Sequence, residues 1–266
     1  MDQFLRHRIN VGRAVVREQV AFFRKQFAHV ESEWKEDHSR VTFADFAISE
    51  KILAELKLRF PKDDLCTEEG DPHAPERELK ARYAWILDPV DGTNNFALGM
   101  PLCAISLGLL RNGEPVYGFL YDYGRDKLIE GGPGIGLTDG GAKVHPMDMQ
   151  RAITDQTMIG MSFPIRDNAY AKGLRELANT MNIRSFGTGA ITLAYVALGM
   201  LDGCIDLRSK SWDIAASLAF LNAAGGKIHY FGPPHFPLKR FDVHQKPCPF
   251  YAGTEEFCAK CEKLLG

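Results

Sequence analysis

A chain of 266 residues, 45% hydrophobic and 25% charged, is long enough to bury a sizeable core as one large domain or two closely packed ones, and nothing in that composition points to disorder. Its net charge of −2, with acids and bases interspersed, leaves no basic stripe of the kind a nucleic-acid polymer needs, so DNA and RNA are not expected as partners. Charges run through the first turns, no apolar run is long enough to span a bilayer, and the six scattered cysteines fit free thiols; a soluble, cytoplasmic protein with no membrane partner is the expectation.

Phe4, Leu5, Ile9, Val15, Val16, Val20, Phe23 and Phe27 recur near helical spacing, which predicts one long amphipathic helix or two broken near Gly12. Residues 31–40 are polar and short of apolar anchors, and read as a mobile loop. Thr42-Phe43-Ala44-Asp45 leads into an amphipathic helix over 46–56, ended by Pro61, in which Asp45 is on its own a first-turn acid favoured by the helix dipole. Residues 63–70 hold the acidic pair Glu68-Glu69 after a short strand-like segment, a pattern that alone fits a solvated loop. Residues 71–81, with Pro72 and Pro75, read as an exposed loop.

The stretch Trp85-Ile86-Leu87-Asp88-Pro89-Val90-Asp91-Gly92-Thr93-Asn94-Asn95-Phe96 runs an apolar, buried strand straight into two carboxylates. Pro89 fixes a dihedral between the acids and Gly92 permits a tight turn after them, so Asp88 and Asp91 can converge. Thr93, Asn94 and Asn95 then read as a helix start, whose unpaired N–H groups favour an anion. Two readings are open from the spacing: a site for a hard cation beside an amide nest for a phosphate, or an acidic turn closed by an N-cap.

Farther on, 102–110 is a nearly continuous apolar run, Asn112-Gly113 is a hairpin signal leading to a strand over 116–121, and a third strand near 127–130 completes an antiparallel meander. The glycines of 131–136 follow a hairpin and enclose Pro133, so they read as turns and not as a dinucleotide loop. From about His145 strands and helices alternate: a strand over 158–161, a helix over 168–181, an apolar helix opening at 185–190 and running to about Leu201, a strand over 202–207, an Ala- and Leu-rich helix after Trp212-Asp213 ended by Gly225-Gly226, strands over 227–231 and 250–253, and a last helix capped by Thr254. On its own Asp213 reads as a helix cap. Cys258 and Cys261 lie in that last helix without a second ligand pair, which argues against a zinc finger.

The central stretch closely resembles the D-P-(I/V)-D-G-T-x-N-F signature of the inositol monophosphatase family, and three other places match that family's pattern. Glu68-Glu69-Gly70 resembles its G-E-E motif, with Thr67 in place of the first Gly; Gly187-Thr188-Gly189-Ala190 resembles G-T-A-A, with Gly189 for an alanine; and Trp212-Asp213-Ile214-Ala215-Ala216-Ser217 resembles W-D-x-A-A-G, with Ser217 for the last Gly. The resemblance implies Mg²⁺-dependent, lithium-sensitive hydrolysis of a small phosphate monoester. Metal ligands are implied at Glu68, Asp88, Asp91, Asp213 and the Val90 carbonyl, with Glu69 acting behind them or through water. That is more acid than one ion requires, so two or three Mg²⁺ ions are expected. By the same resemblance Asp45, Glu68 and Thr93 serve the attacking water, Gly187, Thr188 and Asp206 face the substrate, and Lys35 sits approximately where the family carries a loop lysine; Gly92, Thr93 and Asn94 are the expected phosphate nest, and Arg208 leaves its strand just before Trp212-Asp213, on the expected substrate side.

The implied fold is a layered αβαβα sandwich of α+β or α/β class: an antiparallel-sheet subdomain over residues 1–144 packed on an α/β subdomain over 145–266. Inositol 1-phosphate leads the expected substrates, with histidinol phosphate, fructose 1,6-bisphosphate and a 3′-phosphorylated nucleotide as alternatives on the same fold. A metal-binding regulator without turnover is the non-enzyme alternative. Family members are often dimers, so a homodimer is a possible assembly.

Overall fold

The computed structural model describes residues 2–34, 40–162 and 169–265. Helix α1 (Gln3–Gln26) is unbroken; Asp2 accepts a hydrogen bond from the Leu5 N–H at 2.7 Å as its cap, and Arg24 and Lys25 fall in its last turn. Gly12 does not break it. A Cβ there would lie 2.5 Å from the Phe119 ring and 2.9 Å from Trp85, so this glycine lets the helix lie against the sheet. The stretch expected as a mobile loop is bordered by a two-stranded antiparallel ribbon, β1 (Ser32–Trp34) with β2 (Arg40–Thr42), in register Ser32 to Thr42 and Trp34 to Arg40, and its middle, 35–39, lies outside the described residues. The arms pair through their backbones, which a polar composition does not reveal. Lys35 lies outside the described residues.

Helix α2 (Phe43–Arg59) starts earlier than its apolar spacing indicates because Thr42 and Asp45 form a reciprocal capping box. Strands β3 (Asp64–Thr67), β4 (Arg77–Glu78) and β5 (Tyr83–Asp91) follow, then the short helix α3 (Thr93–Leu98). The meander is β6 (Ala104–Arg111), β7 (Glu114–Asp122), β8 (Lys127–Gly132), β9 (Gly136–Asp139) and β10 (Ala142–Lys143). Asn112 and Gly113 both hold positive φ, at 54° and 87°, as a two-residue hairpin turn requires. Together they make a seven-stranded sheet, order β10-β9-β8-β7-β6-β5-β3, parallel only between β3 and β5.

The second half contains β11 (Met158–Met161), α4 (Ala171–Thr180), β12 (Asn182–Arg184), α5 (Gly189–Ala197), β13 (Gly203–Asp206), α6 (Ser211–Ala224), β14 (Lys227–Tyr230), β15 (Arg240–Phe241), β16 (Phe250–Gly253) and α7 (Glu255–Leu265). Its five-stranded sheet runs β12-β11-β13-β16-β14, and β15 pairs with β4, so the exposed 71–81 stretch is hydrogen-bonded to the far half of the chain. Helix α5 stops at Ala197, short of the expected end near Leu201.

Helices α1 and α2 cover one face of the seven-stranded sheet, α5 and α6 lie between the two sheets, and α4 and α7 cover the outer face of the five-stranded one. The result is the expected five-layer αβαβα sandwich. Helices α5 and α6 are apolar nearly all round because both of their faces meet a sheet. Helix α6 comes unusually close to the first sheet: a Cβ on Gly108 would lie 2.7 Å from that of Ala215, and one on Gly118 would lie 2.4 Å from the Ala216 carbonyl oxygen. Two glycines on neighbouring strands thus form a floor for two alanines, and that seat sets where Asp213 stands. Gly118→Ala is expected to lower the unfolding temperature by roughly 5–10 °C, since overpacking against backbone costs about 1–3 kcal/mol. An unchanged melting curve would remove the floor from the account. Among the described residues, no helix is long and apolar enough to cross a membrane.

Candidate metal and phosphate site

Strand β5 ends in an irregular register between Asp88 and Asp91 where Pro89 interrupts its pairing with β6, and this break turns both acids toward one place. Asp88 Oδ1 accepts from the Val90 N–H at 3.1 Å, a local brace across the proline. Gly92 then takes φ 81°, and a Cβ there would lie 2.7 Å from the Leu102 carbonyl oxygen, so only glycine passes. Asp213 arrives from α6, where its Oδ2 accepts from the Lys210 N–H at 2.7 Å. Trp212 anchors that turn, buried and packed on Phe241 with ring centroids 5.9 Å apart. One carboxylate oxygen each from Asp88, Asp91 and Asp213 lie within 4.8 Å of one another.

The electrostatics of this trio are those of acids short of positive charge. Burial, then Glu68, Asp91 and Asp213, pushes the Asp88 carboxyl well above the ordinary range. Asp91 is raised by burial and then by Asp213, against the N–H groups of Ala190 and Ile191 that favour its charged form. Asp213 is pushed up to about 7 by burial first and Glu68 second. Glu68 follows β3 on a turn pinned by its N–H to the Leu87 carbonyl at 3.1 Å. Thr67, where the family pattern has glycine, uses its hydroxyl: it meets Ser49 Oγ at 2.9 Å and accepts from the Glu69 N–H at 3.3 Å.

Beside the trio, Asp45 is fully buried, with Oδ2 accepting from the Thr42 N–H at 2.8 Å and the Thr42 hydroxyl at 2.5 Å. Its Oδ1 lies 3.3 Å from Thr93 Oγ1, which also reaches the Val90 carbonyl oxygen at 2.9 Å. The first turn of α3, Thr93 and Asn94 after Gly92, has no side-chain cap on its N–H groups. Gly187, at φ 70°, leads to Thr188, whose hydroxyl hydrogen-bonds to Asp91 and also accepts from the Ile191 N–H at 3.2 Å as the cap of α5.

Asp206 is placed differently from the others. It is buried, and its carboxylate is turned onto its own strand exit: Oδ1 accepts from the N–H groups of Arg208 and Ser209 at 2.8 and 2.9 Å and from Ser162 Oγ at 3.1 Å, and Oδ2 from Ser209 Oγ at 2.8 Å. Arg208 is exposed. Two of the departures from the family pattern have local explanations. The Ser217 hydroxyl is fully buried but donates to the Ala190 carbonyl at 2.7 Å, and the place of a Gly189 side chain is taken by Ser209 Oγ, 2.3 Å from where a Cβ would stand.

Sequence reasoning overlooked Asn95 as a working residue. Its amide donates to the carbonyls of Leu102 and Phe186, both at 2.7 Å, and so ties the central motif to the Gly187-Thr188 turn. Its place within the signature was the signal, but only the fold names its partners. Asn95→Ala should cost about 1–3 kcal/mol by stranding two carbonyls, measurable as a lower denaturant midpoint at unchanged slope.

The family model of the inositol monophosphatase family matches residues 2–263. The chain belongs to that family. An inositol-1-monophosphatase of Mesorhizobium japonicum is 36% identical over 195 residues, 71% of each chain. A Nus factor SuhB of Xylella fastidiosa is 29% identical over 235 residues, 85% of this chain and 82% of that one. Among solved structures, the extragenic suppressor protein suhB of Bartonella henselae superimposes with a TM-score of 0.81 at 27% identity over 97% of both chains. The inositol monophosphatase fold is thereby established for this chain, and the acid trio lies where the end of β5 meets the first turn of α6.

Proposed function

We propose that this chain is a Mg²⁺-dependent phosphate monoester hydrolase acting on a small polyol or sugar-like phosphate, with inositol 1-phosphate its foremost substrate. The observation that carries this reading is the convergence of Asp88, Asp91 and Asp213 within 4.8 Å, beside the Thr93–Asp45 contact. Three oxygen donors whose ionised forms are disfavoured by burial and by each other suit a hard divalent cation. Asp88, Asp91, Asp213, Glu68 and the Val90 carbonyl would hold two or three Mg²⁺ ions. When bound, these supply charge neutralisation for the phosphoryl oxygens and a water more acidic than bulk water.

The chain's own groups account for the rest. Thr42 holds Asp45 Oδ2, which keeps Oδ1 turned to the Thr93 hydroxyl, so a proton leaving a water at Thr93 has an acceptor at Asp45 Oδ1. The open N–H groups of Thr93 and Asn94 orient phosphate oxygens, with Gly92 allowing close approach, and Gly187, Thr188, Asp206 and Arg208 border the alcohol side. The name inositol-1-monophosphatase on a relative 36% identical supports the substrate reading.

A second reading, a regulatory protein that keeps the metal site without turnover, is favoured by the name Nus factor SuhB on another relative. The two separate on one measurement. Inorganic phosphate is followed from inositol 1-phosphate, histidinol phosphate, fructose 1,6-bisphosphate and 3′-AMP, with Mg²⁺ and with EDTA. Phosphate release that needs Mg²⁺ supports the hydrolase, and the ranking of kcat/KM names the substrate. No release from any ester would favour the regulator.

A further inference from the structure

We propose that Ser209 is a positioning residue that decides whether Asp206 serves the fold or the substrate; this rests on the hydrolase reading above. Gly189, the first residue of α5, faces the turn between β13 and α6. A Cβ on Gly189 would stand 2.3 Å from Ser209 Oγ, 3.4 Å from Ser209 Cβ and 3.1 Å from Asp213 Cβ. The missing methyl of residue 189 and the hydroxyl of residue 209 therefore occupy one place, and a methyl there would turn the hydroxyl away from Asp206.

The hydroxyl has a use that a methyl lacks. Ser209 Oγ donates to Asp206 Oδ2 at 2.8 Å, the sole hydrogen bond to that oxygen among those described, whereas Oδ1 has three donors. Ser209 is itself buried, so the bond is shielded from solvent. With the hydroxyl in place, Ser209 takes one of the two lone pairs of Oδ2, so a substrate hydroxyl has to share that acceptor with protein. Without it, Oδ1 still anchors the side chain and Oδ2 becomes an unshared acceptor beside Asp213 and the alcohol side of the site. Residues 189 and 209 thus act as one coupled setting: glycine with serine partly withdraws the carboxylate, alanine with alanine would offer it.

The test is a double-mutant cycle on the full chain with Mg²⁺: wild type, Gly189→Ala, Ser209→Ala and the double variant. Gly189→Ala alone forces a methyl into the hydroxyl and should lower the unfolding temperature by several degrees, and Ser209→Ala added to it should restore most of that loss. In the double variant KM for inositol 1-phosphate should fall several-fold at a kcat within about twofold of wild type, while KM for p-nitrophenyl phosphate, which has no hydroxyls, stays put. Additive thermal losses, or KM moving equally for both esters, would overturn the proposal. Should the wild type release phosphate from neither ester, the hydrolase reading and the substrate role of Ser209 fail together, and the thermal cycle still decides whether residues 189 and 209 are coupled.

Discussion

Asp91→Asn is expected to lower Mg²⁺-dependent phosphate release by about a thousandfold or more, some 4 kcal/mol of barrier, with circular dichroism and elution volume unchanged. Asp91 lies in the carboxylate trio and is buried, so the substitution removes a charge where a cation would be held but alters no packing volume. The Thr188 hydroxyl can still donate to the amide oxygen, which keeps the cap of α5. Because burial and Asp213 disfavour the ionised Asp91, the variant should melt at a higher temperature than wild type in EDTA even as it loses activity. Turnover within tenfold of wild type at saturating Mg²⁺ would remove Asp91 from the metal site.

Stripping divalent cations with EDTA is expected to make the protein progressively less stable as pH rises, and Mg²⁺ to reverse this. The sign follows from the direction of the shifts. Asp88, Asp91 and Asp213 have folded pKa values raised above the ordinary 3.8, so the native state holds protons that the unfolded chain releases. Stability from that difference is complete below the ordinary value and is lost as pH rises, through about 7 for Asp213, with Asp88 and Asp91 shifted in the same direction. The gap in unfolding temperature between Mg²⁺ and EDTA should accordingly be small near pH 5 and reach roughly 5–10 °C near pH 8, the size expected for an ion at a hundred times its Kd. Calorimetry at matched ionic strength reads it directly. A gap independent of pH would show that these carboxyls do not titrate with unfolding.

What could be read without coordinates was what is local. Asp88-Pro89-Val90-Asp91-Gly92 carries its own turn chemistry, Asn112-Gly113 its own hairpin, and the apolar spacing of α1 its buried face. Where the cause lies elsewhere in the chain, the reading missed it. Gly12 looks like a helix break in one dimension and is a contact with Phe119 and Trp85 in three. The β1–β2 ribbon and β12 are short and polar, and their reason for being strands is a partner across the sheet. Asp206 has the residue type of a substrate ligand, but its orientation depends on Ser162 and Ser209, and no spacing rule contains them.

The glycine floor under α6 also bears on the order of events as the chain folds. Asp88 and Asp91 stand at the end of a strand whose neighbours, β3 and β6, lie close to it in sequence, whereas Asp213 joins them only when Ala215 and Ala216 settle onto Gly108 and Gly118. Contacts between distant segments are the slow ones to form. A refolding chain with its first sheet in place would therefore lack Asp213 among the proposed ligands, and high affinity for the ion would arrive only with the last docking step. Cation uptake in a refolding experiment should lag the recovery of secondary structure, which makes it a clock for completion of the interlayer core.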